Sequence, residues 1–556
     1  MAENSFYQEM SVYQIWTRSF CDGNGDGIGD LWGVLEKLDY IKSLRVDAVL
    51  FSPLFPSPNA DYGYDSSDYM TIAPEYGGAD VFRRVLDEAH RRNLRVFMEL
   101  AVNHTSDEHF WFRESRKSAD NPYHDYYCWQ SAKYLGKTRL SPVTPAARSE
   151  GQRWEYNGDL DEYYLSLFTG KQPLLNLDNP KVRSEIKKIL RFWLDMGVDG
   201  FREDVITYSP KVSVLPVGVP KLPAVGGRRR SAALIAYLRE FKHDALDYYD
   251  CFFVGKLPEL SADAARKAVS EGEEKALDEI TVFPQEQAEL SSGGSFSPAL
   301  SLKKLKADFS AWQTKTEGQS LNVLCLEDAD RPRCISRFGS VLYRKESGKM
   351  LAAMIFLQKG TPFLYQGQEI GMLNVALPRI EMYRDALTLS TAKTAEKIVS
   401  KEKVLKLVHR FSRDNARTPM QWNSGKNAGF SAGTPWFGVN PNYLEINAAA
   451  EEKDPDSILN FYRRLLAFRK ETPAALYGVY RELLPESRQL YVYERVYGSE
   501  KLLVICSFTN EQVRFEAPEG YRIEEEEPVL SNYEHNFVIS SGFTTRPYEM
   551  RVYHFK

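Results

Sequence analysis

Short apolar segments alternate with helical patterns along most of this chain. The helical patterns are amphipathic, as in residues 79–93 and 179–197, and Asn179-Pro180 opens the second one as a helix start commonly does. Repeated strand–helix units predict an α/β fold, a closed (β/α)8 TIM barrel, with a doubly wound open sheet as the alternative. The eight predicted strands are residues 12–16, 46–53, 94–102, 197–205, 251–256, 280–284, 321–328 and 361–367.

Two regions do not follow this repeat. Residues 104–175 are aromatic and rich in loop-forming residues, which predicts an inserted domain after the third strand. After about residue 475 apolar and polar positions alternate, as in 489–496 and 501–508, which predicts a small C-terminal β-sandwich. A Pro- and Gly-rich segment, 213–231, predicts a mobile loop near the end of the fourth strand. The predicted domains are the barrel (1–103 and 176–475), the inserted domain (104–175) and the β-sandwich (476–556).

Composition narrows the range of functions. The 556 residues suit a barrel with appended domains, and the formal net charge of −5 gives no reason to expect a nucleic-acid partner. Residues 1–12 lack the pattern of a signal peptide, and no run approaches the ~20 apolar residues that span a bilayer. The six cysteines are scattered, several of them within apolar strands, which is typical of reduced core residues. These features predict a cytoplasmic protein with no membrane or nucleic-acid partner.

Charged side chains follow the predicted barrel strands, at the end where barrels of this kind hold their sites. Residues 197–206 carry Arg202 and Asp204 two positions apart, so the two side chains point the same way from a strand end. The next strand, 251–256, ends in Lys256. We therefore expect the functional site at this face of the barrel.

Several long motifs, in the same order, resemble glycoside hydrolase family 13 in its oligo-1,6-glucosidase and α-glucosidase branch. The likeness covers nearly the whole chain, so it implies the barrel, the inserted domain and the C-terminal β-domain already predicted. It also implies a small α-glucoside as ligand. The motifs are YQIW with RSF and DGNGDGIGDL following, SPNADYGYDSSDY, VNHTSDEH, GFREDVI, RDNARTPMQW with NAGF following, and VNPNYLEIN.

The resemblance implies roles for individual residues. Asp204 is implied as the nucleophile, Arg202 as the residue that orients it, and Asp330 as the carboxylate that holds and distorts the sugar. Val205, directly after the nucleophile, resembles the members that prefer α-1,6 linkages. The residues implied to bind the sugar or close its pocket are Asp61, Tyr64, His104, Arg333, Arg413 and Arg417.

A loop near the N-terminus alternates oxygen donors around a turn at Gly27 and resembles the front of a calcium loop. Its twelfth position is Gly33, where such loops usually carry a bidentate Glu. The family resemblance implies a structural calcium ion here, and a plain Asx-rich turn is the alternative. The predicted metal ligands are Asp22, Asn24, Asp26, Ile28 and Asp30.

The site departs from the family pattern at the general acid. The family's Val-Gly-Glu reads Val254-Gly255-Lys256, and a lysine ammonium is a poor proton donor that cannot return as a base while protonated. Further departures surround it, and two of them fall on strand ends. Ala329 replaces a sugar-binding His, Glu99 replaces an Asp, Leu174 replaces the Asp of Gln-Pro-Asp-Leu-Asn, and Gln285-Glu286-Gln287 replaces Phe-Glu-His.

These departures predict a family member that is catalytically impaired or inactive and that binds an α-glucoside or a protein partner. The alternative is an active retaining α-glucosidase or transglucosylase that uses Glu259 or Glu327 as a substitute acid. We hypothesise that Lys256 pairs with Asp204 or Asp330; the alternative is that it points into solvent.

Overall fold

The structure is a computed structural model of the chain. It describes residues 6–135, 153–166, 169–203, 227–256, 262–269, 272, 275–283, 300–315, 321–534 and 540–556. Several predictions therefore fall outside the described residues: those on Asp204, Val205, Glu259, residues 285–287 and most of the loop 213–231.

The strands of the described chain are numbered in chain order. They are β1 (Val12–Ile15), β2 (Ala48–Phe51), β3 (Arg95–Leu100), β4 (Trp129–Ser131), β5 (Arg153–Asn157), β6 (Glu162–Ser166), β7 (Gly200–Glu203), β8 (Phe252–Lys256), β9 (Glu279–Thr281), β10 (Leu321–Leu324), β11 (Thr361–Tyr365), β12 (Val479–Glu482), β13 (Leu490–Tyr497), β14 (Glu500–Ser507), β15 (Arg514–Glu516), β16 (Leu530–Ser531), β17 (Gly542–Thr544) and β18 (Met550–Phe555).

The α-helices of the described chain lie mainly between these strands. They are Leu31–Ser43, Gly78–Arg91, Phe110–Ser115, Ala132–Leu135, Pro180–Met196, Gly227–Phe241, Ala262–Ala268, Leu302–Lys315, Cys334–Phe338, Arg344–Phe356, Ala386–Ala395, Lys401–Phe411, Asp414–Arg417, Ala448–Lys453, Ile458–Glu471 and Pro473–Tyr477.

Eight parallel strands close into a barrel in the order β1-β2-β3-β7-β8-β9-β10-β11. Each contains residues of one of the eight segments predicted from the sequence, so the barrel prediction is confirmed and the doubly wound alternative is wrong. Alternate residues on these strands form a separate apolar cluster that fills the barrel interior, as packing in a closed barrel requires. This cluster includes Val12, Ala48, Leu50, Phe97, Phe252, Val254, Val323, Cys325 and Phe363.

The helix that precedes β7 shows how local sequence places a site strand. The side chain of Asn179 accepts a hydrogen bond from the backbone N–H of Lys181, and Pro180 occupies the first helical position. The helix ends at Gly197, whose φ of 108° lies in the left-handed region that glycine adopts without strain. This confirms the helix predicted over 179–197, and the chain then enters the strand that carries Arg202.

Three further sheets account for the regions that break the repeat. Strands β4, β6 and β5 form a three-stranded antiparallel sheet between β3 and β7. At the C-terminus, a five-stranded sheet has the order β12-β13-β14-β18-β16, and β15 pairs with β17 in a separate two-stranded sheet. The predicted fold class is confirmed, whereas the residue boundaries of the domains stay predictions. Residues 227–231 belong to the helix Gly227–Phe241, so the predicted loop 213–231 is wrong at this end.

Two findings bear on the predicted cellular setting. All six cysteines are free thiols. Among the residues that the structure describes, no helix is both long and apolar enough to cross a bilayer. The cytoplasmic location stays a prediction.

A buried carboxyl group in the barrel core predicts a pH-dependent stability. Glu279 is fully buried, and burial raises its pKa to about 8 even though the hydroxyl of Thr361 donates a hydrogen bond to Oε1 over 2.5 Å. The pKa in the folded state exceeds the ordinary value of 4.5. The contribution of protonated Glu279 to the free energy of unfolding is therefore complete below about pH 4.5 and is lost as the pH rises to about 8.

We expect Glu279→Gln to remove this pH dependence. Relative to the wild type, the variant should gain on the order of 4 kcal/mol of stability between pH 5 and pH 9, because unfolding of the wild type releases a proton from Glu279 over this range and unfolding of the variant does not. Melting temperatures of both proteins at pH 5, 7 and 9 measure the effect. An equal difference at all three pH values would contradict the prediction, and Glu402→Gln, on an exposed side chain, is the matched control.

Candidate functional site

Asp330 lies at the centre of a buried ion-pair network at the C-terminal end of the barrel. Its Oδ2 accepts a hydrogen bond from Lys256 Nζ at 2.9 Å. Its Oδ1 accepts hydrogen bonds from Arg417 Nη2 at 3.0 Å and from Arg413 Nη1 at 3.3 Å. Burial alone would raise the pKa of Asp330, but the charges of Lys256, Arg413 and Arg417 outweigh it and hold the pKa well below its usual range. Asp330 is therefore an ionised acceptor.

Lys256 is the last residue of β8 and is only 4% exposed. Besides its contact with Asp330, its Nζ lies 3.7 Å from Oδ2 of Asp328. The hypothesis that Lys256 pairs with Asp330 is confirmed, and the alternative that it points into solvent is wrong. A cation thus occupies the strand end at which the family resemblance implies the general acid.

Arg202 extends from β7 into the same network. It donates hydrogen bonds to Gln14 Oε1 at 3.1 Å and to Asp328 Oδ2 at 3.2 Å, and its Nη2 lies 3.9 Å from Oε1 of Glu99. The guanidinium is almost fully buried, so these contacts fix its orientation. A residue two positions further along a strand points the same way, and this is the basis on which Asp204 stays predicted at the site.

Asp61 joins the network from the loop after β2. Its Oδ1 accepts a hydrogen bond from Arg413 Nη2 at 2.8 Å, and Gln172 Nε2 lies 3.4 Å from its Oδ2. Burial raises the pKa of Asp61 despite the opposing charges of Arg413 and Arg417. Asp61 and Asp330 therefore share Arg413 as a common partner.

Tyr64 and His104 lie beside Asp61, as the family resemblance implies for residues of a sugar pocket. His104 Nε2 is 2.9 Å from the carbonyl oxygen of Tyr64 and 3.2 Å from Gln172 Nε2. The Tyr64 hydroxyl donates to Glu99 Oε2 over 3.4 Å. Gln172 thus connects His104 with Asp61, a role that its place in a family motif had not suggested.

Arg333 lies elsewhere than its predicted role requires. It is fully buried and donates hydrogen bonds to Glu327 Oε1 at 3.0 Å and to the carbonyl oxygen of Gln366 at 2.7 Å. The other oxygen of Glu327 accepts from the backbone N–H of Cys334. The position gives no support to pocket closure by Arg333. It also leaves Glu327 poorly placed as a substitute acid, because both of its oxygens accept hydrogen bonds inside the core.

Two carboxylates of the network were missed as site residues. Asp328 accepts hydrogen bonds from Arg202 and from Arg331 Nη1 at 2.9 Å, and these cations with Lys256 outweigh burial and lower its pKa to about 2. Asp385 Oδ1 accepts from Arg413 Nη2 at 2.5 Å and from Nε at 2.9 Å. Burial opposes ionisation of Asp385, but Arg413 and Arg417 lower its pKa to about 2.

The described part of the site is a set of buried carboxylates matched by buried cations. The low pKa values of Asp328, Asp330 and Asp385 exclude these three groups as proton donors near neutral pH. Carboxylates held in fixed positions can accept hydrogen bonds from the hydroxyl groups of a sugar, and guanidinium groups can donate hydrogen bonds to them.

The predicted calcium loop uses its side-chain oxygens within the loop. Both oxygens of Asp22 accept hydrogen bonds from the backbone, at Gly25 and Gly27, and both oxygens of Asp30 do so from Gly23, Asn24 and Gly33. Asp30 also caps the helix Leu31–Ser43. Within the ranges that the structure describes, no cluster of three or more His, Cys, Asp or Glu side chains is arranged to hold a metal ion. These hydrogen bonds are those of an Asx-rich turn, the alternative named for this loop.

The calcium ion stays a prediction that the melting temperature can test. Removal of a structural ion that binds only the folded protein should lower the melting temperature in a strong chelator, and added calcium should restore it. Equal melting temperatures with chelator and with calcium would remove the site from consideration.

The fold is a closed parallel barrel with an inserted sheet and a C-terminal β-domain, and buried carboxylates and cations meet at the C-terminal ends of its strands. The sequence model of the alpha-amylase catalytic domain matches residues 14–478. The chain therefore belongs to the alpha-amylase family, glycoside hydrolase family 13, as the motifs had indicated.

Full-length relatives place the chain within this family more closely. It is 43% identical over 564 residues to the oligo-1,6-glucosidase of Bacillus cereus, with 100% of both chains covered. It is 36% identical to the trehalose-6-phosphate hydrolase of Bacillus subtilis (strain 168), over 99% of this chain and 98% of the relative. The crystal structure of isomaltulose synthase from Erwinia rhapontici NX5 superposes with a TM-score of 0.92 at 34% identity, with 100% of both chains covered.

Proposed function

We propose that the protein binds small α-glucosides at the site formed by Asp61 and Asp330, and that it cleaves unactivated α-glucosidic bonds slowly or not at all. One observation carries this proposal: Lys256 is 4% exposed at the end of β8, and its Nζ lies 2.9 Å from Asp330. Among the described residues, β8 itself ends in this lysine and offers no carboxyl group as the second one that a retaining glycosidase needs, about 5 Å from the nucleophile.

The charge of Lys256 opposes the reaction in two ways. A protonated amine donates poorly to a glycosidic oxygen and cannot take the proton of the attacking water, so the acid and base steps both lose their catalyst. Its positive charge also lies where an oxocarbenium-like transition state develops positive charge. Loss of a general acid typically costs about 10²–10⁴ in rate.

Sugar binding draws support from the groups that remain. Asp61 and Asp330 are acceptors held by Arg413, and His104 lies 2.9 Å from the carbonyl oxygen of Tyr64. Hydroxyl groups of a glucosyl residue match this mixture of hydrogen-bond acceptors and donors. A sugar hydroxyl that hydrogen-bonds Asp330 would compete with Lys256 for Oδ2, so binding is expected to be weak.

A second candidate is an active α-glucosidase of the oligo-1,6-glucosidase type with a substitute acid. The 43% identity over the full length of an oligo-1,6-glucosidase favours it, and the similar proteins named above all carry enzyme names. Taken alone, these comparisons favour this candidate over an impaired protein. It requires an acid other than Glu327, whose two oxygens are engaged by Arg333 and by the backbone of Cys334.

Glucose release from isomaltose, maltose and sucrose separates the two candidates. We expect no release above that of Asp204→Asn, the variant without the predicted nucleophile. Rapid release that disappears in Asp204→Asn would support the second candidate. An aryl α-glucoside with a very acidic leaving group needs no general acid, so a burst of phenol that is absent in Asp204→Asn would show that Asp204 remains reactive. Titration of methyl α-glucoside by calorimetry tests sugar binding separately.

A further inference from the structure

An apolar groove lies between two helices next to the ion-pair network. The helices Ala386–Ala395 and Lys401–Phe411 form its walls, and it encloses about 360 Å³. This volume falls in the usual range for small-molecule sites. The apolar lining includes Leu387, Ala392, Ala395, Val404, Leu407 and Phe411.

The apolar surface of the groove is mostly internal. Ala392 is 3% exposed and Val404 is 1% exposed, whereas Leu387 and Phe411 at the rim are 37% and 38% exposed. A protein partner usually buries about 800 Å² on each side, largely on outward-facing surface. A narrow cleft with two exposed apolar rim residues suits a small molecule that enters between the helices better than it suits a protein surface.

One end of the groove is polar. Thr388 Oγ1 donates to Asp385 Oδ2 over 2.5 Å and lies 3.1 Å from Ser412 Oγ, which accepts from the backbone N–H of Asp414 at 3.2 Å. Arg413 also lines this end, but its charge is matched by Asp385, Asp61 and Asp330. A ligand that reaches this end therefore meets hydroxyl groups and a neutralised ion pair, which favours an uncharged hydroxyl over an ionic group.

We propose that this groove is a binding site for a small uncharged apolar molecule with one hydroxyl group, such as a one- or two-ring aromatic alcohol. The rings lie along the apolar walls, and the hydroxyl lies at the end formed by Thr388 and Ser412. The groove adjoins the sugar site and shares Asp385 and Arg413 with its ion-pair network. The proposal does not rest on whether the protein binds or cleaves glucosides.

Titration of the full chain with 1-naphthol, followed by calorimetry, tests the proposal. We expect saturable binding to one site. Ala395→Phe, which fills the groove, should weaken binding at least tenfold, and Thr391→Trp, at an exposed lining position, should do the same if the first variant folds poorly. Thr394→Phe is the matched control, because Thr394 is exposed and its hydroxyl bonds only the carbonyl oxygen of Ser390.

The hydroxyl and the alternative occupants are tested with the same proteins. We expect 1-methylnaphthalene, which has a similar shape without the hydroxyl, to bind several-fold more weakly than 1-naphthol. Absence of 1-naphthol binding, or equal binding by wild type and both groove variants, would overturn the proposal. A second result would also overturn it: the wild type sediments as a dimer, Ala395→Phe sediments as a monomer, and neither binds 1-naphthol. In that case the groove is occupied by a second copy of the chain.

Discussion

Replacement of Lys256 by Glu is expected to raise the hydrolysis of isomaltose by about 10²-fold or more over the wild type. The new carboxyl group would extend from the end of β8, where Lys256 is now buried beside Asp328 and Asp330. Burial and two neighbouring carboxylates would raise the pKa of that group, which is what a general acid near neutral pH requires. The change also removes the positive charge from the region of the transition state.

Lys256→Gln separates the two effects of this change. It removes the ammonium and frees Asp330 without adding a proton donor, so we expect it to improve sugar binding while hydrolysis stays near the wild-type level. The measurement is kcat/KM for isomaltose with wild type, both variants, and Lys256→Glu combined with Asp204→Asn. If Lys256→Glu is no faster than Lys256→Gln, the lysine is not what limits hydrolysis. If the wild type is already active and Lys256→Glu is slower, the second candidate function holds.

The barrel could be predicted from the sequence because its strands are short apolar segments separated by amphipathic helices. A closed barrel buries both faces of each strand, so its strands are short runs of mostly apolar residues in the sequence. Lys256 could be placed at the site for the same reason: a residue at the end of a recognised strand has a known position in the fold. Its partner Asp330 followed from a strand end two strands further round the barrel, since β10 and its loop reach the same face.

Other parts of the site depend on packing that no local pattern reveals. Asp385 lies in a loop after β11, and its pairing with Arg413 is set by how residues 361–413 fold over the strand ends. Arg333 belongs to a motif that lies near the pocket, but the motif does not say whether the side chain faces the pocket or the core behind it. Only the structure shows that Arg333 faces the core, where it contacts Glu327. The calcium loop illustrates the same limit, because oxygen donors at metal-binding spacing also suit an Asx turn.

Asp385→Asn is expected to destabilise the protein by about 3–5 kcal/mol, the usual cost of removing one partner from a buried ion pair. Asp385 is fully buried and caps the helix Ala386–Ala395 through the backbone N–H of Thr388. Asn keeps an oxygen for that cap, so the change mainly removes the charge that balances Arg413 and Arg417. Asp61 and Asp330 remain as partners of Arg413, which places the expected cost toward the lower end of the range.

For a chain of this length, that loss corresponds to a melting temperature about 3–4 °C lower, because the unfolding entropy grows with size. Thermal melting of Asp385→Asn measures it, and Glu402→Gln is the control, since its partner Lys406 is also exposed and such surface pairs contribute little to stability. Adding Arg413→Met should cost less in the Asp385→Asn background than in the wild type, because the two side chains share one interaction. Equal costs in both backgrounds would mean that Asp385 does not hold Arg413 in place, and the ion-pair network would then owe its geometry to Asp61 and Asp330 alone.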